Sequence, residues 1–289
     1  MVKTLVRILT VLTAVISSLS FSTYQAQARP ATGITDVILG DSMFANPTYT
    51  QLQDRIGMLN PYSGEGKPGK PSPQGCPQGA HTIASEMSRI TGDRVINYAC
   101  SGTSAASPST RFSFQSQVDK AIANGDIQKA RNVIIMMGIN DGIKYFYNPR
   151  IARDGIQAEV AKKIRDIQRI NPHANITVSS YPAIATGEGL VCPVRLIPTR
   201  NTHGVPLDFG AFKHIENNVN YGLYQATART NTFFYDLNNA TRHHSMCAPN
   251  NQRWISGTID TTKSHNFAGH LTHNGITQIA YLLANHALR

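Results

Sequence analysis

Ser42 stands in the segment Gly40-Asp41-Ser42-Met43, directly after a run of apolar residues that ends at Leu39. A serine hydroxyl is a weak nucleophile at neutral pH, so it attacks an acyl carbon only when an adjacent base takes its proton. Gly40 permits a tight turn after a strand, and such a turn would expose the hydroxyl at the end of the strand. The segment therefore indicates a candidate nucleophile for acyl transfer.

Three further residues offer the other groups that acyl transfer needs. Gly102 follows a second apolar run, and its missing side chain lets its backbone amide approach a substrate closely. Asn140 follows a third run, and its side-chain amide can donate to the negative charge that develops on a carbonyl oxygen. His273 stands where we expect the last helix to begin, and it can take the Ser42 proton. Each residue has an ordinary role in turns or caps, but their order along the chain favours a catalytic site.

The elements that must position these residues alternate between strands and helices. Short apolar runs predict strands at residues 36–39, 94–99, 132–137, 175–179 and 232–237, and amphipathic segments predict helices at residues 80–91, 115–124, 151–170, 209–230 and 274–287. This alternation predicts an α/β fold, a three-layer α/β/α sandwich around a mainly parallel sheet. Sites in such sheets form at the carboxyl ends of strands. Long connections at residues 60–78, 183–206 and 238–270 are typical of binding walls or lids.

The N-terminal residues have the three-part order of a secretory signal peptide. Lys3 and Arg7 precede a mostly apolar stretch, and Ala26-Gln27-Ala28 follows with the spacing of a cleavage site. The stretch is shorter than the roughly 20 apolar residues of a membrane-spanning helix. We therefore predict a signal peptide over residues 1–28, a single domain over residues 29–289, and a secreted product without stable membrane insertion. An uncleaved anchor is the alternative.

The chain is basic, with 27 Lys and Arg against 17 Asp and Glu and a net charge of +10. The first 28 residues contain two of the basic residues and no acidic one, so the remaining chain keeps a net charge of +8. No cluster of five or more basic residues occurs, which favours a solvated basic surface over a nucleic-acid site. We therefore expect no nucleic-acid partner.

The four cysteines are an even number in a chain that we expect to be exported, which predicts two disulfides. Four cysteines allow three pairings, and the sequential one closes the shortest loops. A zinc site is the competing interpretation, but its ligands would be scattered along the chain. The cysteines are Cys76, Cys100, Cys192 and Cys247.

The segments around the candidate residues resemble the four signature blocks of the SGNH, or GDSL, hydrolases. These segments are Gly40-Asp41-Ser42, Ala99-Cys100-Ser101-Gly102, Gly138-x-Asn140-Asp141 and His273. The resemblance covers nearly the whole chain after residue 28. It implies a flavodoxin-like sheet, neither metal nor organic cofactor, and an oxyanion hole formed by the Ser42 amide, the Gly102 amide and the Asn140 side chain.

Other features are similar to the secreted actinobacterial esterase and lipase branch of that family. They are the Cys76 segment, Cys100 before a Ser-Gly pair, and a His-x-x-Cys stretch that ends at Cys247 and is followed by Trp254. This resemblance implies the disulfides Cys76 to Cys100 and Cys192 to Cys247.

The last block departs from the family pattern. The pattern Asp-x-x-His is replaced by His270-Leu271-Thr272-His273, so the usual triad acid is absent. Some relatives use a main-chain carbonyl instead, so we predict a Ser42 and His273 dyad in which the His270 main-chain carbonyl orients His273. Asp236 is an alternative orienter, although a buried or capping role suits it better.

The sequence thus predicts a secreted serine esterase or lipase, a monomer that hydrolyses small-molecule, lipid or glycan esters through an acyl-Ser42 intermediate. Two alternatives stay open: an acyltransferase that acts on an envelope glycan or glycolipid, and a non-catalytic cell-surface binding module. A peptidase is a weaker rival. His243 and His244 are adjacent and lack the spacing of a metal site. Trp254 and the aromatic residues 145–147 either form the wall of an acyl pocket or cover the core.

Overall fold

The computed structural model describes residues 32–56, 64, 66–107, 112–197, 202–262 and 264–286. The predicted signal peptide lies outside the described residues. The strands are β1 (Thr35–Gly40), β2 (Arg94–Asn97), β3 (Ala130–Met136), β4 (Asn175–Ser179), β5 (Leu190–Arg195), β6 (Val205–Asp208), β7 (Phe233–Tyr235) and β8 (Ile259–Asp260). The helices are α1 (Ser42–Ala45), α2 (Tyr49–Ile56), α3 (Ile83–Thr91), α4 (Phe114–Ala123), α5 (Asp126–Lys129), α6 (Ile139–Lys144), α7 (Pro149–Ile170), α8 (Gly210–Ala228), α9 (Leu237–Ala240) and α10 (His273–His286).

The central sheet has the strand order β2-β1-β3-β4-β7, and all of its pairings are parallel. Val37 pairs with Ile96 on one side and with Val133 on the other. These residues form buried strands because helices cover both faces of a parallel sheet, so an uninterrupted apolar run is stable there. The order reverses between β1 and β3, and in flavodoxin-like sheets ligands bind at the carboxyl ends of the strands at this switch point.

Helices flank this sheet and complete the layers. Helix α10 packs against α3, and α7 packs against α8 and α4. The core includes residues of β1 and β3 that are fully buried, among them Val37, Ile38, Ile134 and Ile135. The predicted fold class is therefore confirmed, and each of the five predicted strands corresponds to a strand of the sheet.

A second sheet, with the order β6-β5-β8, forms within the segments that the sequence indicates only as long connections. Val194 of β5 pairs with Val205 in antiparallel fashion and with Ile259 in parallel fashion. The sequence does not predict this sheet because β5 and β6 each contain a proline, which is unusual within strands, and β8 has only two residues.

Two disulfides join Cys76 to Cys100 and Cys192 to Cys247. Both agree with the predicted pairing. The second disulfide attaches β5 to the segment that follows α9. Within the ranges of the chain given above, no helix is long and apolar enough to cross a membrane.

Candidate active site

Ser42 is the first residue of α1, at the carboxyl end of β1. Asp41 caps this short helix, because its Oδ1 accepts a hydrogen bond of 3.0 Å from the Met43 amide. A Cβ atom at Gly40 would lie 2.8 Å from the Met136 carbonyl oxygen and closer still to the Phe44 ring. Only glycine fits that position, so the strand can end tightly against β3 and present the Ser42 side chain at the edge of the sheet.

His270 is the histidine that contacts the serine, since its Nε2 lies 2.8 Å from Ser42 Oγ. Its Nδ1 lies 3.0 Å from the Ala268 carbonyl oxygen. A carbonyl can only accept, so Nδ1 carries the ring proton and Nε2 of the neutral imidazole accepts from the Ser42 hydroxyl. Burial lowers the pKa of His270 below its ordinary value, and the Ala268 carbonyl opposes this shift. His270 is thus kept in the neutral form that can accept a proton.

The prediction that His273 lies against Ser42 is wrong. His273 Nε2 lies 3.1 Å from Asn266 Oδ1, and the ring stands edge-on to His81 at 5.6 Å between centroids. The Asn266 Nδ2 group donates to the Asn46 carbonyl, so its Oδ1 accepts from His273 and fixes the proton on His273 Nε2. His273 therefore holds the segment before α10 instead of facing the nucleophile.

The prediction that the His270 main-chain carbonyl orients His273 is also wrong. That carbonyl accepts from the Ser256 amide at 2.7 Å and from Ser256 Oγ at 3.1 Å. A main-chain carbonyl does orient the histidine at the serine, but it belongs to Ala268. Gly269, which has a φ of +72°, makes the turn between the two residues. A glycine directly before a histidine is a turn signal, and it could have favoured His270 over His273.

Gly102 and Asn140 follow the two strands that flank β1. Gly102 has a φ of +78°, and no atom of the described residues lies within 4 Å of the place of its missing Cβ. Asn140 is the second residue of α6, and its Nδ2 donates to the Thr103 carbonyl at 2.8 Å. The amide carries a second N–H, for which the described residues show no acceptor. The Asn140 amide and the Gly102 turn are therefore held together.

Gln117 is a residue of this site that the sequence analysis missed. Its Oε1 accepts from the Gly40 amide at 2.9 Å, its Nε2 donates to the Gly40 carbonyl at 2.8 Å, and the same Nε2 contacts Thr103 Oγ1 at 3.2 Å. The side chain is fully buried on α4. Gln117 thus fixes the end of β1 against the Gly102 turn. A polar residue among the apolar positions Phe114, Val118 and Ala121 was the available signal.

Comparison with known proteins places this arrangement in a family. The model of the GDSL-like lipase/acylhydrolase family matches residues 38–275. The chain belongs to this family. It is therefore an ester hydrolase, and the match spans the segments that contain Ser42, Gly102, Asn140 and His270. No curated protein matched the chain.

Two solved structures share the fold of this GDSL hydrolase. The extracellular lipase from Streptomyces rimosus is 17% identical, with a TM-score of 0.56, and the alignment covers 89% of this chain and 100% of that chain. The phospholipase A1 from Streptomyces albidoflavus is 14% identical, with a TM-score of 0.55 and the same coverage of both chains. The TM-scores support a common fold, and at these identities the likeness does not extend to a substrate. The actinobacterial branch stays a prediction.

The other residues that the sequence analysis singled out make capping or packing contacts in the hydrolase. Asp236 caps α9 by accepting from the Asn239 amide at 3.0 Å, in line with the capping role. His244 stacks flat on Trp254 at 3.9 Å between ring centroids, and Trp254 is buried. The Tyr145 hydroxyl contacts Ser107 Oγ at 3.0 Å. These contacts favour a role for Trp254 and Tyr145 in covering the core.

Proposed function

We propose that the protein is an exported serine esterase that hydrolyses carboxylic esters through an acyl-Ser42 intermediate, with His270 as the general base. The observation that carries this proposal is the hydrogen bond between His270 Nε2 and Ser42 Oγ, with the opposite ring nitrogen on the Ala268 carbonyl. A serine, a base and a group that orients the base are the components of an activated nucleophile. The carbonyl takes the orienting position that a carboxylate has in a triad.

In the proposed reaction, Ser42 Oγ attacks the ester carbonyl carbon while its proton passes to His270 Nε2. The amides of Ser42 and Gly102 and the side chain of Asn140 donate to the oxyanion of the tetrahedral intermediate. The carbon–oxygen bond to the alcohol then breaks, and the alcohol leaves with the proton from His270. Water, deprotonated by the same histidine, attacks the acyl carbon. The bond between that carbon and Ser42 Oγ then breaks, Oγ takes the proton from His270, and the carboxylic acid leaves.

Export is part of the proposal. It is supported by the signal-peptide pattern over residues 1–28 and by the two disulfides, which persist in oxidising compartments. N-terminal sequencing of the protein from culture medium tests it. A mature chain that begins at Arg29 is expected, and an intact N-terminus on a cell-bound protein would contradict export.

The two histidines provide a matched pair of variants for the mechanism. We expect Ser42→Ala and His270→Ala to lower kcat for p-nitrophenyl esters by about 10³-fold or more, because each removes a partner of the proton transfer. His273→Ala should keep kcat within about tenfold of the wild type, because His273 contacts Asn266 and not the serine. The rates are measured with esters from acetate to palmitate and with a phospholipid. The long-chain esters and the phospholipid are included because the two Streptomyces structures are a lipase and a phospholipase A1.

Labelling with a fluorophosphonate measures the reactivity of Ser42 independently of ester hydrolysis. The wild type should be labelled at Ser42, and His270→Ala should react slowly. Inactivity of His273→Ala together with full activity of His270→Ala would overturn the assignment of the base. Ester hydrolysis by Ser42→Ala would overturn the serine mechanism itself. Product analysis with a sugar acceptor present shows whether the acyl group goes to water or to a hydroxyl.

A further inference from the structure

Tyr181 is a fully buried tyrosine, two positions beyond the end of β4, that connects three strand ends. Its hydroxyl donates to Asp41 Oδ2 and accepts from the Ile139 amide at 3.0 Å. Asp41 directly precedes the nucleophile, and Ile139 directly precedes Asn140. A single phenol therefore joins the turn that carries Ser42 to the start of the helix that carries Asn140.

We propose that Tyr181 is a positioning residue of the ester-hydrolysing site, which sets the placement of the Asn140 amide relative to Ser42 through its hydrogen bonds to Asp41 and Ile139. The inference rests on the proposed function. Donors in an oxyanion hole act only when they are fixed where the charge develops. A displacement of about 1 Å can cost on the order of a hundredfold in rate.

The hydrogen bonds in this chain have a defined direction. The Ile139 N–H can only donate, so the phenol oxygen accepts from it and gives its own proton to Asp41. Asp41 Oδ1 accepts from the Met43 amide, so both oxygens of the carboxylate act as acceptors. Only the ionised carboxylate satisfies all of these partners. Protonation of Asp41 would leave one buried O–H donor without an acceptor, which is unfavourable.

The pKa of the Asp41 carboxyl group lies close to neutral pH. Burial raises its pKa to about 7, the hydrogen bonds from Tyr181 and Met43 oppose this shift, and the charge of Asp141 on α6 adds to it. The titratable groups that face the Asp41 carboxylate are Tyr181, beyond β4, and Asp141. Removal of the phenol hydroxyl would thus raise the pKa of Asp41 further and would disconnect Ile139. The ordered arrangement is then present above the pKa of Asp41 and is lost as the pH falls through it.

Tyr181→Phe tests the inference, and Tyr98→Phe is its matched control. Tyr98 is also fully buried, and it donates to a carboxylate, Asp126 Oδ2, at 2.6 Å, outside the proposed site. We expect Tyr181→Phe to lower kcat by about ten- to a hundredfold with KM within about twofold. Its activity should also begin to fall at a higher pH than that of the wild type. Tyr98→Phe should change only the midpoint of thermal unfolding.

Asp41→Asn supplies an independent readout, because asparagine does not titrate. The wild-type rate should fall in two steps as the pH decreases, near pH 7 for Asp41 and at a lower pH for His270. Asp41→Asn should lack the first step and keep the second. A Tyr181→Phe enzyme with wild-type kcat and pH profile, or an Asp41→Asn enzyme that keeps both steps, would overturn the inference. Ser42→Ala would still be inactive in that case, so the proposed function would survive.

Discussion

Asn140 allows a direct test of the oxyanion hole at the scale of one residue. One N–H of its amide donates to the Thr103 carbonyl, and we propose that the other donates to the substrate. We expect Asn140→Ala to lower kcat by about 10²–10³-fold with little change in KM, because the lost contact forms only as charge develops. Steady-state kinetics with p-nitrophenyl acetate provides the measurement.

Asn171 serves as the control for that variant. Its side chain also donates to main-chain carbonyls, those of Ile127 in α5 and of Ala130 at the start of β3. Asn171→Ala should lower the free energy of unfolding and leave kcat unchanged. An Asn140→Ala enzyme with wild-type kcat would remove Asn140 from the mechanism.

The choice between the two histidines shows where prediction from single residues ends. Ser42, Gly102 and Asn140 are candidates because each follows a strand, and strand ends in a parallel sheet share one edge. His270 and His273 both precede or begin the last helix, so the pattern of elements did not separate them. Their difference arises from the turn at Gly269 and from the hydrogen bond between Asn266 and the Asn46 carbonyl. The Gly269 turn is a local signal, whereas the hydrogen bond joins segments that are distant in sequence.

At the scale of elements, Asn266 attaches the segment that carries His270 to helix α1. Its Nδ2 donates to the Asn46 carbonyl at 2.8 Å, where α1 ends, and its Oδ1 accepts from His273 at the start of α10. We expect Asn266→Ala to lower the free energy of unfolding by about 1–3 kcal/mol, because it leaves a buried carbonyl without its donor. It should also lower kcat, since His270 is then less well placed against Ser42.

Urea unfolding measures the change in the free energy of unfolding, and separate determination of kcat and KM measures the effect on catalysis. Asn266→Asp is the comparison variant, because it keeps the acceptor for His273, removes the donor to Asn46 and adds a buried carboxylate. An Asn266→Ala enzyme with unchanged kcat would show that the His270 segment is held by its other contacts, such as those of Ser256.

The sequence predicts the strands of the central sheet, which are rich in apolar residues, and does not predict the exposed strand β6. The strands of the central sheet are buried on both faces and read as continuous apolar runs. Strand β6 is exposed along its whole length, and its pairing with β5 bridges a long connection. Its four residues include a proline and are too few for an apolar run that would indicate a strand. Gln117 was missed because an amide on the buried face of a helix is informative only when its partners, here the backbone of Gly40, are known.

At the scale of the whole molecule, buried carboxylates make the stability depend on pH. Burial raises the pKa of Asp36, in β1, to about 6, and its Oδ2 has no hydrogen-bond partner among the described residues. The folded chain therefore keeps a proton that the unfolded chain releases at lower pH. The stabilisation is full below the ordinary pKa of an aspartate and is lost as the pH rises through 6.

Asp36→Asn should remove this dependence. We expect the variant to exceed the wild type in free energy of unfolding by up to about 3 kcal/mol at pH 8, and to differ little from it at pH 4. Urea unfolding at the two pH values measures the difference. Asp119→Asn, at an exposed carboxylate on α4, is the control substitution. Equal pH dependence of Asp36→Asn and the wild type would contradict the assignment.

The disulfide between Cys76 and Cys100 ends two positions before Gly102, so the turn that we assign to the oxyanion hole is anchored by a covalent bond. We expect oxidation to act as a maturation step, because in a newly made chain with free thiols only noncovalent contacts, such as those of Asn140 and Gln117, hold the Gly102 turn. We expect such a chain to be a latent hydrolase. The esters of the cell that synthesises it would thus be protected until the chain reaches a place where thiols oxidise.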